Sequence, residues 1–355
     1  PRYLHAYYSM KMKKHDDTIA TNKTRSLMEQ YQQPLRLVFC ASGICFCYWF
    51  YGFLQEKILA QSDLGATFIL VLQTGVNIMI ALVWQRVEAS WSKTDEKRLN
   101  QPLLAATSCT YVFAMTGSNE ALRYVSYPTA VLAKSCKLIP TMLFGRIFEQ
   151  RKYTTQQWIS AMLISIGIAI FNLTRIKEPP ASHHGVQDEY WKGMALLAMS
   201  LTMDGFLGVT QGFLKRPDTR GNHERPPTAV ETMLWINVYA LLLLVPMALA
   251  DSQLREGFAI IANDPDLMRA MMLLSVVVGF GQIFIFLTIT WYSSLVCTTI
   301  TTTRKFFTIL FSVIHFGHKF SMWQWISTGM VFIGLYLSIF AKKHPLLEPA
   351  KPKTL

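Results

Sequence analysis

Two pairs of cations stand where cations are costly. Lys134 and Lys137 lie in residues 126–145, SYPTAVLAKSCKLIPTMLFG, and Arg304 with Lys305 in residues 296–312, VCTTITTTRKFFTILFS. Both runs are otherwise long and apolar enough to cross a bilayer. A cation at the centre of a membrane helix costs roughly 2.5 to 3.5 kcal/mol on insertion scales, so its default reading is functional. Added simply, four such residues cost about 10 to 14 kcal/mol, comparable with the whole stability of a domain. Lys134 and Lys137 are three residues apart and share one helical face. The chemistry on offer is capture of an anion. Ammonium groups attract it, a guanidinium fork engages two of its oxygens at once, and Thr301, Thr302 and Thr303 add hydroxyls.

Few intramembrane carboxylates are available to balance these charges. Glu56, at the end of the first apolar run, is placed to pair with one of the four cations when no ligand is present. Asp204, in SLTMDGFLGVTQGF, is the second counter-charge candidate, with interfacial exposure as the alternative. Tyr48, Tyr51 and Gln55 recur at helical spacing along the first run, with Gly52 allowing close backbone approach. They line either a polar pathway or an interfacial aromatic belt. Pro128 opens the fourth run, whereas Pro140 lies inside it and is expected to kink the helix one turn beyond Lys137. Gly205, Gly208 and Gly212 have spacings suited to close helix packing.

The elements that must hold these residues are membrane helices. Half of the chain is apolar, with charge confined to the gaps between apolar runs. Ten runs begin near Leu37, Thr67, Leu103, Tyr127, Trp158, Met194, Met233, Met268, Leu295 and Trp323. The first follows a polar, Lys-rich tail and shows no cleavage signature, so it reads as a membrane helix and not a signal peptide. The expected organisation is a cytosolic tail at 1–34, six spans in 35–215, a cytosolic loop at 216–227, four spans in 228–341 and a cytosolic tail at 342–355. The net charge of +12 reports orientation here, not nucleic-acid binding. Lysine and arginine collect in the segments that are cytosolic if both termini are cytosolic. The six cysteines all fall within apolar runs, which leaves no disulfide framework. No ligand spacing points to zinc or another metal, and no cofactor is implied. The adjacent His183 and His184 read as solvated loop residues.

The halves repeat. An offset of 167 positions sets QQWIS, residues 156–160, on WQWIS, residues 323–327. The same offset matches Ser126 with Ser293, Thr141 with Thr308, Phe144 with Phe311 and Gly167 with Gly334, and it superposes Lys137 on Arg304. The unit contains five spans, and an odd number reverses orientation between copies. The expected fold class is therefore an all-α membrane protein of ten transmembrane helices in two inverted five-helix repeats, with a site near the midplane at their interface.

The first-span YGFLQEK, SYPTAVLAKSCKLIPTML, LTMDGFLGVTQ and TTTRKFFTIL together resemble nucleotide-sugar transporters of the drug/metabolite transporter superfamily. The likeness is to the B branch of solute carrier family 35 in particular, over about residues 37–341. It implies exchange of a cytosolic nucleotide-sugar of the UDP-galactose or UDP-glucose class for a lumenal nucleoside phosphate. ATP/ADP exchange is the alternative in that branch. It further implies that Lys134, Lys137, Arg304 and Lys305 contact phosphate, with Tyr48, Tyr51, Gln55 and Glu56 near the ligand. A polytopic glycosyltransferase is the remote alternative, resting on Asp264-Pro-Asp266, and proline between two aspartates reads better as a turn. Lys351 and Lys353 have a spacing resembling dilysine retrieval signals, which implies coat-protein recognition and residence in the endoplasmic reticulum, with the Golgi as second choice. The sequence leaves the oligomeric state open.

Overall fold

The computed structural model describes residues 32–55, 58, 64–91, 98–125, 127–175, 187–216, 225–315 and 321–340. Helices account for nearly all of them, and no strand occurs among the described residues. In chain order they are α1 (Gln32–Gln55), α2 (Ala66–Trp91), α3 (Gln101–Ala121), α4 (Tyr127–Ser135), α5 (Leu138–Ile147), α6 (Thr155–Arg175), α7 (Gln187–Leu214), α8 (Ala229–Ala250), α9 (Gln253–Asn263), α10 (Pro265–Trp291), α11 (Ser294–His315) and α12 (Met322–Phe340). Among the described residues five helices, namely α1, α2, α7, α8 and α10, are long and apolar enough to cross a membrane. Glu56, Lys351, Lys353, His183 and His184 lie outside the described residues, and of Lys305 only its backbone place on α11 is described.

Local chemistry starts several helices. The Asn100 side chain accepts from Leu103 N at the start of α3. Thr228 and Glu231 form a capping box on α8. Asp264 caps α10 by accepting from the N–H groups of Asp266 and Leu267, with Pro265 in the first turn, where a missing N–H costs nothing. The Asp-Pro-Asp segment is thus a helix start.

The fourth apolar run is broken into α4 and α5 at Cys136 and Lys137. The break comes before Pro140, not one turn beyond Lys137, because a proline ring collides with the carbonyl four residues earlier and offers it no N–H. The Cys136 carbonyl is met instead by Ile139 N at 3.0 Å, a tighter turn.

Glycines set the close crossings. On α7, Gly205 faces Phe144 and Pro140 O, Gly208 faces Thr141, and Gly212 faces the Glu149 carboxylate, so the glycine face packs along α5. Gly43 and Gly281 bring α1 and α10 together at Phe284 and Tyr48. Gly52, read above as an approach point, has nothing within 4 Å of a Cβ placed there. Its face of α1 points outward with Phe46, Trp49 and Phe53, all more than half exposed.

Helices α6 and α12 cross in an antiparallel pairing. A Cβ at Gly167 would stand 3.0 Å from Ser327 O and 2.8 Å from Val331, and one at Gly334 would stand 3.1 Å from Ser160 O and 2.8 Å from Ile164. The offset of 167 carries Gly167, Ser160 and Ile164 onto Gly334, Ser327 and Val331, so each contact is the image of the other. Helix starts follow the same offset, Tyr127 of α4 onto Ser294 of α11 and Thr155 of α6 onto Met322 of α12.

Candidate functional site

The break between α4 and α5 carries the first pair of cations. Lys134 lies in the last turn of α4 and Lys137 occupies the N-cap position at the start of α5. Both reach the same carboxylate: Lys134 Nζ lies 2.8 Å from Asp204 Oδ2 and Lys137 Nζ 2.7 Å from Asp204 Oδ1. Asp204 is 5% exposed. It faces the bundle because it sits beside the glycine face of α7, where α5 approaches closely. One turn earlier on α7, Ser200 Oγ accepts from Lys134 Nζ at 2.6 Å and donates to Ala114 O of α3, a carbonyl that lies 3.5 Å from Lys134 Nζ. The interfacial alternative for Asp204 is therefore not realised.

The second pair lies on α11. The Arg304 guanidinium stacks over the Tyr48 ring at 5.1 Å, with Tyr51 and Cys45 of α1 within its electrostatic reach. Lys137 in turn lies within electrostatic reach of the Cys297 thiol of α11, the helix that carries Arg304 against Tyr48 of α1. Tyr48 and Tyr51 meet edge to face at 6.0 Å, and the Tyr51 hydroxyl lies beside the Gln73 amide. These two tyrosines belong to the inner face of α1, not to an aromatic belt. Gln55 follows one turn later, half-buried.

Next to the tyrosines is an amide cluster that the sequence reading did not single out. Asn77 of α2 donates to Asn237 of α8 at 3.2 Å, and Asn237 donates to Gln282 of α10 at 2.9 Å. The Tyr111 hydroxyl of α3 lies beside Gln282. All three amides are buried. Gln73 and Asn77, four apart in an apolar run, were a legible signal, because a buried polar group must find a partner.

A separate charged cluster lies outside the spans, at the end of the bundle where α1 begins. Glu149, 5% exposed, binds Arg151 at 2.6 Å and accepts from Arg216 through its carbonyl. Lys215 donates to Tyr292 O at 2.6 Å, and the Tyr292 hydroxyl donates to Gln33 O at the start of α1. Burial, reinforced by Arg151, lowers the Lys215 ammonium to about 8, against the opposing pull of Glu149.

With this geometry in place, comparisons with known proteins agree with one another. The family model of the UAA transporter family matches residues 36–342. Solute carrier family 35 member B1 of Xenopus tropicalis is 37% identical over 314 residues, covering 85% of this chain and 92% of the relative. The Danio rerio protein of that name is 35% identical over 340 residues, covering 92% and 98%. One solved crystal structure shares the fold with a TM-score of 0.63 at 11% identity, covering 85% of this chain and 96% of that chain.

Proposed function

Because this chain belongs to the UAA transporter family, and is thus a multi-pass membrane transporter and not an enzyme, we propose that it exchanges nucleotide-sugars for nucleoside phosphates by alternating access. The substrate is of the UDP-galactose or UDP-glucose class, moved from the cytosol into the lumen of the endoplasmic reticulum. The observation that carries this reading is the bridged pair Lys134–Asp204–Lys137, buried between the broken fourth run and α7, together with Arg304 stacked on Tyr48. Two lysines and one aspartate leave one positive charge among the three, and a nucleotide-sugar, with one negative charge on each of its two phosphoryl groups, supplies an anion to meet it. Tyr48 and Tyr51 supply flat faces of the kind that suit a base.

Ten spans in two inverted halves are supported by the reciprocal α6–α12 contacts and by the shared offset of helix starts. Rocking of one half against the other would then expose the cations to each side in turn. An empty site would have to carry uncompensated charge through an occluded state, where charge is most costly. Bound nucleotide removes that cost, so the loaded form switches sides more readily and transport becomes exchange. Asp204 already neutralises one lysine, which makes the empty form less costly than four unpaired cations and permits a slow leak. The retrieval reading of Lys351 and Lys353 stays with this proposal.

ATP/ADP exchange is the second reading, favoured by the adjacency of Lys305 to Arg304 in the sequence, since one further cation suits one further phosphate charge. Counterflow separates the two. Proteoliposomes preloaded with UMP are expected to accumulate labelled UDP-galactose or UDP-glucose, and those preloaded with ADP to accumulate ATP only under the second reading. Efflux that is equal with and without external nucleotide would establish uniport and overturn the exchange mechanism.

A further inference from the structure

The two lysines of the broken fourth run are not equivalent. An ammonium has three N–H donors and no acceptor. Three oxygens surround Lys134 Nζ: Asp204 Oδ2 at 2.8 Å, Ser200 Oγ at 2.6 Å and Ala114 O at 3.5 Å. Ser200 is fully buried and gives its own proton to Ala114 O, so its lone pairs are left for Lys134. Ser200 and Asp204 are four apart on α7 and present both acceptors on one face. Lys134 is therefore saturated from α7 and α3, with 19% of its side chain exposed.

Lys137 differs in each respect. Among the described residues its ammonium is given Asp204 Oδ1 alone, at 2.7 Å, and 29% of its side chain is exposed. It stands at the break between α4 and α5, where the helical ladder is interrupted, and it reaches towards α11, which carries Arg304. Among the described residues nothing else takes its other two donors, and these are the ones offered to a ligand.

From this we infer a division of labour: Lys134 is a positioning residue that holds Asp204 in place, and Lys137 is the lysine that meets the phosphoryl oxygens. The inference rests on the proposed phosphate-binding role of the site. It has a consequence that direct contact by Lys134 does not share. Removing Lys134 frees the Asp204 carboxylate to neutralise Lys137, so the loss reaches the ligand through Asp204 and removal of that carboxylate repairs it.

The test is binding of inorganic pyrophosphate to the purified full chain in detergent, which needs neither base nor sugar, with melting temperature measured on the same samples. Lys134→Met is expected to weaken binding about tenfold, as loss of a close charge partner does. Lys134→Met combined with Asp204→Asn is expected to return to within about threefold of the unmodified protein. Lys137→Met is expected to lose binding, with no recovery on adding Asp204→Asn. If Lys134→Met does not fold, Ser200→Ala keeps every charge, loosens the Lys134 anchor and is expected to weaken binding severalfold. A double variant as weak as Lys134→Met would show direct contact and overturn the inference. A double variant that recovers melting temperature while Lys134→Met binds normally would reduce Lys134 to a fold-stabilising role and overturn it equally. Failure of the unmodified protein to bind pyrophosphate would also count against it. Failure to bind any nucleotide, with pyrophosphate binding intact, would sink the proposed substrate and leave the division of labour standing.

Discussion

The reciprocal contact between α6 and α12 can be loaded one side at a time. An alanine at 167 places a methyl 2.8 Å from Val331 Cγ2 and 3.0 Å from Ser327 O, and an alanine at 334 places one 2.8 Å from Ile164 Cγ1 and 3.1 Å from Ser160 O. Val331 and Ile164 are 0% and 1% exposed, so neither has space to turn into. The two carbonyl oxygens are fixed by their helices. The helices must separate, at the cost of overpacking, about 1–3 kcal/mol. Alanine returns up to ~1 kcal/mol over glycine within a helix. Separation also stretches the 2.7 Å bond from Ser160 Oγ to Gly334 O, worth about 1 kcal/mol. The two smaller terms roughly cancel, so the net loss is about 1–3 kcal/mol for either substitution. At about 2–4 °C per kcal/mol, each of Gly167→Ala and Gly334→Ala is expected to melt about 2–12 °C below the unmodified protein. Because both open the same crossing, the double variant is expected to lose less than the two losses added. The assay is thermal unfolding of a fluorescent fusion in detergent. A variant that melts at or above the unmodified protein, or two single losses that differ severalfold, would refute the two-fold equivalence of the halves.

Arg304→Lys keeps the charge but not the two-pronged geometry. It is expected to weaken nucleotide binding by roughly 10- to 100-fold, about the 1.5–3 kcal/mol of a charged hydrogen bond, and Arg304→Gln by more, read by titration with nucleotide. Lys215 carries a pH signature. Between its folded value of about 8 and the ordinary lysine value of about 10.4, the unfolded chain holds a proton that the folded chain has lost, so stability rises with pH across that window. Melting temperatures taken from pH 7 to pH 10 should show this rise relative to Lys215→Met, and identical profiles would refute it. Asp264→Asn with Asp266→Asn is expected to leave transport intact, because asparagine caps a helix as well as aspartate does. Loss of transport in a folded double variant would reopen the enzyme reading.

Much of the architecture was written along the chain. The apolar runs, the glycine face of α7 and the prolines are local or periodic properties, and each is a pattern that one helix imposes by itself. The cations were legible for the same reason, since charge inside an apolar run has a cost that can be read without knowing its neighbours. What the sequence could not assign was pairing. Asp204 was visible as an odd residue, yet only the packing of α7 against α5 put its carboxylate between Lys134 and Lys137 instead of at the membrane edge. Spacing made the two lysines look alike, and Ser200 and Ala114 O, from two other helices, made them differ. The break at Cys136 required knowing which carbonyl the Pro140 ring meets, and the empty face of Gly52 required knowing where α1 turns its outer side. Helix formation depends on neighbours within a turn, whereas the partner of a buried charge is chosen by contacts between segments far apart in the chain, and that choice exists only once the helices have packed.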